Sequence, residues 1–296
     1  MAAPLELLAH PKAAAEYLGK RLFDGSLALL LGAGTSKPLG LPSFEELLRA
    51  GFAYIKEPPC KGSDLELGAT MLGAACERKG IQLADVIREC LYPKGGLSPS
   101  DLMKSTRMGA LGAMLMGSRR GTVSEVFTFN YDSVLEEYLL LHGYVVRIIT
   151  KVPSLSGSED VTIFHPHGYL PSKTGPGAAS HKITFTKESI LQMLGDPNHP
   201  WVGLIRALVR SKVVLLLGID EKTAIGNSLG PIFAHEAEQL KADRPSAFWV
   251  AKGGAKDAFR TVMLNANVVP VAVSSHEQVD ELLLAICRRA AECMVR

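Results

Sequence analysis

The chain has 296 residues, of which 47% are hydrophobic and 21% charged, a composition typical of a packed globular protein and not of a disordered one. Its formal net charge of +2, with basic and acidic residues interspersed, argues against nucleic acid or an anionic membrane as the main partner. Its five cysteines lack C-x-x-C spacing, no apolar run reaches bilayer length and the N-terminus does not resemble a secretory signal, so we expect a cytoplasmic protein with buried thiols.

Short apolar runs alternate with amphipathic segments along the chain, which predicts an α/β fold with a Rossmann-like, mostly parallel sheet flanked by helices. The first helix is expected over residues 12–23, and residues 26–31 (SLALLL) predict a buried strand. Residues 45–119 show a helical pattern without a clear strand, and we expect them to form a helical insertion subdomain. This insertion would lie within one domain that comprises residues 1–296.

The later elements follow the same alternation. Further strands are predicted over 124–129, 144–149, 161–164, 213–217, 247–251 and 268–273, and helices over 133–141, 186–194, 199–209 and 255–266 and from 277 onward. Ser43 and Glu46 predict a capping box at the start of the helix that follows the first strand. Residues 170–180, rich in Pro, Gly and Ser, predict a mobile loop. The carboxyl ends of the strands gather at one edge of such a sheet, where ligands bind.

A run of small residues, Gly32-Ala33-Gly34-Thr35-Ser36, comes directly after the first predicted strand. Small residues let the backbone approach a pyrophosphate, and free N–H groups at such a turn suit an anion. The third glycine of the dinucleotide fingerprint and its acidic residue about 20 positions later are missing, which argues against a dehydrogenase. From these residues alone, a tight turn without a ligand is an equally good interpretation.

Asn130 and Asp132 follow another apolar strand. Both residue types favour helix N-caps, so a capping role is one interpretation. The other is a binding role for Asn130, because its amide both donates and accepts hydrogen bonds and can hold a ribose hydroxyl or a water.

His165 and His167 end the strand over residues 161–164. Two histidines two positions apart on an extended segment face the same side, but only Asp132 is an obvious further metal ligand, which argues against a metal site. A histidine beside a glycine at a strand end is better interpreted as a general base, and this applies to His167. His165 is equally well explained as a core histidine.

In their order along the chain these segments resemble the sirtuin-like family. The resemblance rests on the glycine turn, on residues 40–44 (GLPSF), on residues 128–132 (TFNYD) and on residues 165–168 (HPHG). Residues 183–189 (ITFTKES), together with Trp201 and the strand that ends at Gly218, are similar to the NAD-hydrolysing branch of prokaryotic defence systems.

The resemblance implies roles for individual residues. The group that would hold the phosphates of NAD comprises Gly32, Ala33, Gly34 and Ser36. Asn130 would orient a water or a ribose hydroxyl, Asp132 would lie near the nicotinamide amide, and His167 would be the base. Gly218 and Asp220 stand where relatives often have G-x-S, so Asp220 is expected to take a ribose hydroxyl in place of the serine.

Two departures from the family pattern bear on the activity. Glu45 stands where protein-deacylating sirtuins have the arginine of their D-F-R run, and no cysteine lies between His167 and Gly218, where they carry four zinc-binding cysteines. The resemblance therefore implies NAD hydrolysis to nicotinamide and ADP-ribose, without a metal, in antiphage defence. Because unchecked activity would exhaust cellular NAD, we expect it to be gated by a closed site, an oligomeric switch or a partner protein. The candidate gates are the helical insertion and the loop over residues 170–180. The alternative is a sensor or regulatory subunit that holds NAD or ADP-ribose without turnover.

Overall fold

A computed structural model of the chain describes residues 5–59, 64–117, 121–154, 157–173, 182–226, 229–240 and 244–295. Within these ranges seven strands form a single, entirely parallel sheet with the order β3-β4-β2-β1-β5-β6-β7. The strands are β1 (Leu27–Leu31), β2 (Glu125–Thr128), β3 (Val146–Ile149), β4 (Val161–Phe164), β5 (Val213–Leu217), β6 (Ala247–Lys252) and β7 (Val268–Val273).

Fourteen helices lie in the described part of the chain. They are α1 (Leu5–Leu8), α2 (Pro11–Phe23), α3 (Phe44–Tyr54), α4 (Leu65–Arg78), α5 (Leu83–Leu91), α6 (Pro99–Lys104), α7 (Thr106–Leu115), α8 (Val134–Leu141), α9 (Lys187–Leu194), α10 (Pro200–Ser211), α11 (Glu221–Ile225), α12 (Gly230–Leu240), α13 (Asp257–Asn265) and α14 (His276–Cys293). Two 3₁₀ turns, Ala33–Thr35 and Lys37–Leu39, follow β1.

The central strand β1 is buried on both faces, as its uninterrupted apolar sequence predicts. Leu27, Leu29 and Leu31 belong to one hydrophobic cluster, which includes residues of α2, α7, α8 and α14. Ala28 and Leu30 belong to a second cluster, which includes residues of α10 and α13. This alternation places a helical layer on each face of the sheet, so the predicted Rossmann-like α/β architecture is confirmed.

The strand predictions hold to within two residues, and the predicted capping box forms. Ser43 accepts a hydrogen bond from the Glu46 N–H, and the Glu46 carboxylate accepts one from the Ser43 N–H. Helices α3 to α7 lie in the described part of the segment between β1 and β2, where a helical insertion is predicted. Sequence analysis missed α1, α11 and α12, and residues 174–180 of the predicted mobile loop lie outside the described residues.

Candidate functional site

The order of the strands along the chain reverses direction between β1 and β5. In the sheet, β2, β4 and β3 lie in that order on one side of β1. The later strands β5, β6 and β7 lie in that order on its other side. In open parallel sheets ligands bind outside the carboxyl ends of the strands at such a reversal. Leu31 pairs with both Thr128 and Leu217, so the segments that follow β1, β2 and β5 emerge side by side.

The glycines of the turn allow the ends of β1 and β5 to touch. A Cβ on Gly32 would lie 2.6 Å from the Gly218 carbonyl oxygen, and one on Gly34 would lie 2.7 Å from the Gly218 Cα. Gly218 itself has φ +66°, and its Cβ would lie 2.4 Å from the Thr35 nitrogen. All three predicted glycines therefore meet at one point, where two backbones pack without a side chain between them.

Four of the five backbone N–H groups of this turn already have hydrogen-bond partners, contrary to the free N–H groups that the sequence predicts. Gly32 and Gly34 donate to the carbonyls of Leu217 and Gly218, each at 2.9 Å, and the two following N–H groups donate within the turn. The reason is the 3₁₀ turn over Ala33–Thr35 and its close packing against the end of β5. Phosphate binding by these four N–H groups would require the turn to open, and the phosphate role of Gly32, Ala33, Gly34 and Ser36 remains a prediction.

Asn130 is anchored through all but one of its hydrogen-bonding groups. Its N–H donates to Thr128 Oγ1 at 3.1 Å, and its Nδ2 donates to Thr35 Oγ1 at 3.2 Å and to Ser36 Oγ at 3.3 Å. Both hydroxyls accept here because their own protons go elsewhere, to the Gly32 carbonyl and to Asp132. The residue is only 8% exposed, and its Oδ1 is buried without a partner.

Asp132 lies beside Asn130 and is 7% exposed. Ser36 donates to its Oδ2 at 2.8 Å, and the Val134 N–H donates to its Oδ1 at 3.2 Å. Burial raises the pKa of Asp132 to about 6, and the nearby Glu136 adds to this, while the Ser36 hydrogen bond opposes it. Asp132 thus links the segment after β2 to the turn after β1.

His165 is a fully buried core histidine, as one of the two interpretations of the sequence held. Its Nε2 lies 2.6 Å from Glu136 Oε1, and its Nδ1 lies 3.1 Å from the Asn130 carbonyl oxygen. Both ring nitrogens are therefore engaged by the protein. Among the described residues, no group of three or more His, Cys, Asp or Glu side chains is placed to hold a metal ion.

His167 faces the segment after β2. Its ring stacks on Phe129 with centroids 4.6 Å apart and hydrogen-bonds to the Phe129 backbone carbonyl. The residue is partly exposed, yet its Nε2 is covered and has no partner, so the bond to the carbonyl belongs to Nδ1. A carbonyl only accepts, so Nδ1 carries the proton and Nε2 keeps a free lone pair. Burial lowers the pKa of His167 to about 4, which keeps the ring neutral at neutral pH.

The segment after His167 is fixed by residues 182–184. Gly168 has φ +102°, and a Cβ there would lie 2.8 Å from the Lys182 carbonyl oxygen, so only glycine fits. The Thr184 N–H donates to the His167 carbonyl at 2.8 Å, and the Tyr131 hydroxyl donates to the Thr184 carbonyl at 2.8 Å. The histidine backbone is thereby tied to the segment that carries Asn130 and Asp132.

Asp220 has a local structural role. It is the N-cap of α11 and accepts hydrogen bonds from the N–H and the hydroxyl of Thr223 at 3.0 and 2.7 Å. It is exposed, and its ribose contact remains a prediction that this geometry does not favour. The preceding Ile219 carbonyl accepts a hydrogen bond from the Trp249 indole at 2.9 Å, which holds the loop after Gly218.

Sequence analysis missed Thr35 and Glu136 as members of the site. Glu136 is 1% exposed on α8, and its carboxylate is near enough to Asp132 to raise the pKa of that residue. A cavity of about 10 Å³ is left among the polar side chains, which is room for about one water. It is lined by Leu31, Thr35, Ser36, Met108, Leu111, Thr128, Asn130, Asp132, Leu135 and Glu136.

Comparisons with known proteins bear on the fold and the family. A family model described as a SIR2-like domain matches residues 124–270, which include Asn130, His167 and Gly218 and begin after the glycine turn. Among solved structures, a chain described as a Sir2 homolog–NAD complex matches with a TM-score of 0.50 and 15% identity, over 93% of this chain and 94% of that chain. At this identity the likeness concerns the fold. No curated protein matches the chain. None of the described helices is long and apolar enough to cross a membrane.

Proposed function

Because the chain belongs to the sirtuin-like family, with a SIR2-like domain over residues 124–270, we propose that it hydrolyses NAD to nicotinamide and ADP-ribose. The observation that carries the proposal is a pair of buried polar atoms without partners, Asn130 Oδ1 and His167 Nε2. Leaving such an atom unsatisfied costs about 1–3 kcal/mol, and proteins retain such atoms where a ligand or a reaction uses them. Two further atoms of this kind belong to Arg21 and Arg289, each of which has an ion pair to a neighbouring carboxylate.

The chemistry of NAD suits what these residues offer. The pyridinium already bears a positive charge and leaves as neutral nicotinamide, so no side chain needs to protonate the leaving group, as one does in ordinary glycoside hydrolysis. Water adds to the ribose carbon as the bond to nicotinamide breaks, and the water loses a proton. The site must hold the ribose and orient the water while positive charge develops on the sugar.

The neutral His167 offers an acceptor for the proton transfer. Its Nδ1–H is held by the Phe129 carbonyl, so the lone pair on Nε2 is free to accept a proton from water or from a ribose hydroxyl. The Asn130 Oδ1 accepts a hydrogen bond from the same water or hydroxyl and orients it. Asp132 would hold the carboxamide of nicotinamide, and the turn over Gly32–Ser36 and the loop after Gly218 would hold the diphosphate and the adenosine ribose.

The test uses purified protein with NAD and measures release of nicotinamide. His167→Ala should lower the rate by about 100-fold or more, the usual contribution of a general base, while binding of ADP-ribose measured by calorimetry is retained. His142→Ala is the matched control, because His142 lies exposed at the end of α8 and bonds only to the preceding turn of that helix.

Two outcomes would contradict the proposal. Absence of nicotinamide release from the wild-type chain under all activating conditions, with ADP-ribose still bound, would favour the alternative of a non-catalytic sensor. Loss of activity in the presence of chelators together with stoichiometric metal would favour a metal hydrolase.

We also propose that the activity is gated, by oligomerisation or by a partner protein, and that it serves antiphage defence in the cytoplasm. The polar side chains of the site bond to one another around a cavity of about 10 Å³, which is far below the 300–1,000 Å³ of ordinary ligand pockets. The helical insertion over residues 45–119 is the candidate gate. Its helix α4 is joined to α9 by the Glu66–Lys187 ion pair at 2.8 Å and by the Thr70–Glu188 hydrogen bond at 2.9 Å. A monomer that is fully active at low concentration without additions would contradict gating.

A further inference from the structure

The buried pair formed by Glu136 and His165 has no role in the proposed reaction, yet it contacts the residue on which that reaction depends. Glu136 and His165 are 1% and 0% exposed, and their side chains meet at 2.6 Å. On its other side, the His165 ring lies 3.1 Å from the Asn130 carbonyl oxygen. The pair thus extends from α8 to the segment that follows β2.

The partners fix the protons on His165. A carbonyl oxygen only accepts, so Nδ1 of His165 carries a proton and donates it to Asn130. Nε2 then either donates to an ionised Glu136 or accepts from a neutral one. The pair is electrically neutral in both states, and in both states the bond to Asn130 persists.

His167 and His165 form hydrogen bonds to the backbone carbonyls of two consecutive residues. His167 bonds to the carbonyl of Phe129, and His165 bonds to the carbonyl of Asn130. With the Asn130 N–H and Nδ2 also bonded, the Oδ1 is left as the group of this side chain without a hydrogen-bond partner. A change in the backbone conformation of Asn130 itself would redirect its side chain and move this oxygen.

We propose that Glu136 and His165 are positioning residues, which fix the Asn130 peptide and thereby aim its side-chain oxygen at the water or ribose hydroxyl. This inference rests on the proposed function, because it takes Asn130 to act on a bound substrate. Neither residue touches the reacting atoms, so their removal changes the rate of reaction of bound substrate and leaves its affinity unchanged.

Two matched pairs of variants test the inference. An asparagine amide can take the place of His165 Nδ1 and a glutamine amide the place of Nε2, so H165N keeps the donor to Asn130 and H165Q loses it. At Glu136, E136Q can donate to Nε2 as a neutral carboxyl does, and E136L cannot. We expect kcat to fall by about 10- to 100-fold in H165Q and E136L, with unchanged KM, and to be largely kept in H165N and E136Q.

The control for general destabilisation is E236Q. Glu236 is equally buried, on α12, and is paired with Arg206 and Arg210 at 3.0 and 2.6 Å. This variant should lower the melting temperature without a change in kcat. If kcat in all four site variants follows the melting temperature alone, or if H165Q matches the wild type, the inference is overturned.

A second measurement needs no turnover. In the chain without ligand, the side-chain amide resonances of Asn130, followed by ¹H–¹⁵N correlation NMR, should shift in H165Q and E136L and stay in place in H165N and E136Q. Equal shifts in all four variants, or in none, overturn the positioning role. If the wild type releases no nicotinamide but this pattern of shifts appears, the proposed function fails and the positioning contact stands.

Discussion

Replacing Gly218 by alanine tests the close contact between the ends of β1 and β5 most directly. A Cβ at this position would lie 2.4 Å from the Thr35 nitrogen and 2.8 Å from the Gly32 carbonyl oxygen. Gly25 offers a matched control, because its φ of +67° is nearly the same as the +66° of Gly218. No atom lies within 4 Å of a Cβ added at Gly25. The two alanine variants therefore share a backbone penalty and differ in the clash.

The expected size of the effect follows from these two contributions. The left-handed conformation costs a residue with a Cβ about 1–2 kcal/mol, and both variants lose this amount. Only in G218A does the added methyl group clash, and it clashes with backbone atoms that cannot rotate away. This clash costs about a further 1–3 kcal/mol. We expect a free energy of unfolding that is lower by about 1–2 kcal/mol in G25A and by about 2–5 kcal/mol in G218A.

Urea denaturation with a linear extrapolation measures both values, and the slope shows whether the unfolding remains comparable between variants. ADP-ribose binding by calorimetry adds a functional measurement, since only G218A should displace the Gly32–Ser36 turn and change the affinity. A difference in stability below about 0.5 kcal/mol between the two variants would refute the close contact of the two strand ends.

Three further outcomes follow from the titrating groups. The pKa of Asp132 is raised to about 6, so we expect kcat/KM to fall on acidification through pH 6, and D132N should lack this limb of the pH profile. Removing the Ser36 hydrogen bond, which lowers this pKa, should move the limb to higher pH in S36A. For stability, the folded-state pKa of His167 is about 4, below its ordinary value of 6.5, so its contribution is complete above pH 6.5 and is lost as the pH falls through 4. Urea denaturation between pH 4 and 7 should therefore show a smaller loss of stability on acidification in H167Q than in the wild type.

Much of the fold could be predicted from the sequence because its central strands β1 and β5 are buried on both faces. The runs LALLL and VVLLL leave no polar position for a helix surface, and strands β4, β5 and β7 begin and end where the sequence predicts. The Ser43–Glu46 capping box is equally local, because both of its hydrogen bonds join residues three apart.

The parts that could not be predicted depend on contacts between distant segments. Glu136 is an ordinary helical glutamate in sequence, and only the fold brings it to His165, 29 residues away. The N–H groups of Gly32 and Gly34 are engaged because β5 lies alongside β1, which a pattern of single residues does not reveal. Asp220 is the N-cap of α11, a role that competes with the predicted ribose contact. The sequence does not reveal this role, because a helix of five residues is too short to show a periodic pattern.

The closed site itself explains how a gate would act. Groups proposed to hold NAD bond to each other: Ser36 to Asp132, and Asn130 to both Thr35 and Ser36. A hydrogen bond to an ionised group contributes about 1.5–3 kcal/mol and a neutral one about 0.5–1.5 kcal/mol, so separating these three contacts costs about 2.5–6 kcal/mol. A ligand that must open the site loses that amount from its binding free energy, which lowers its apparent affinity by about 10²–10⁴-fold. An oligomeric contact or partner that moves the Thr35–Ser36 turn away from Asn130 and Asp132 would restore the affinity without contacting NAD.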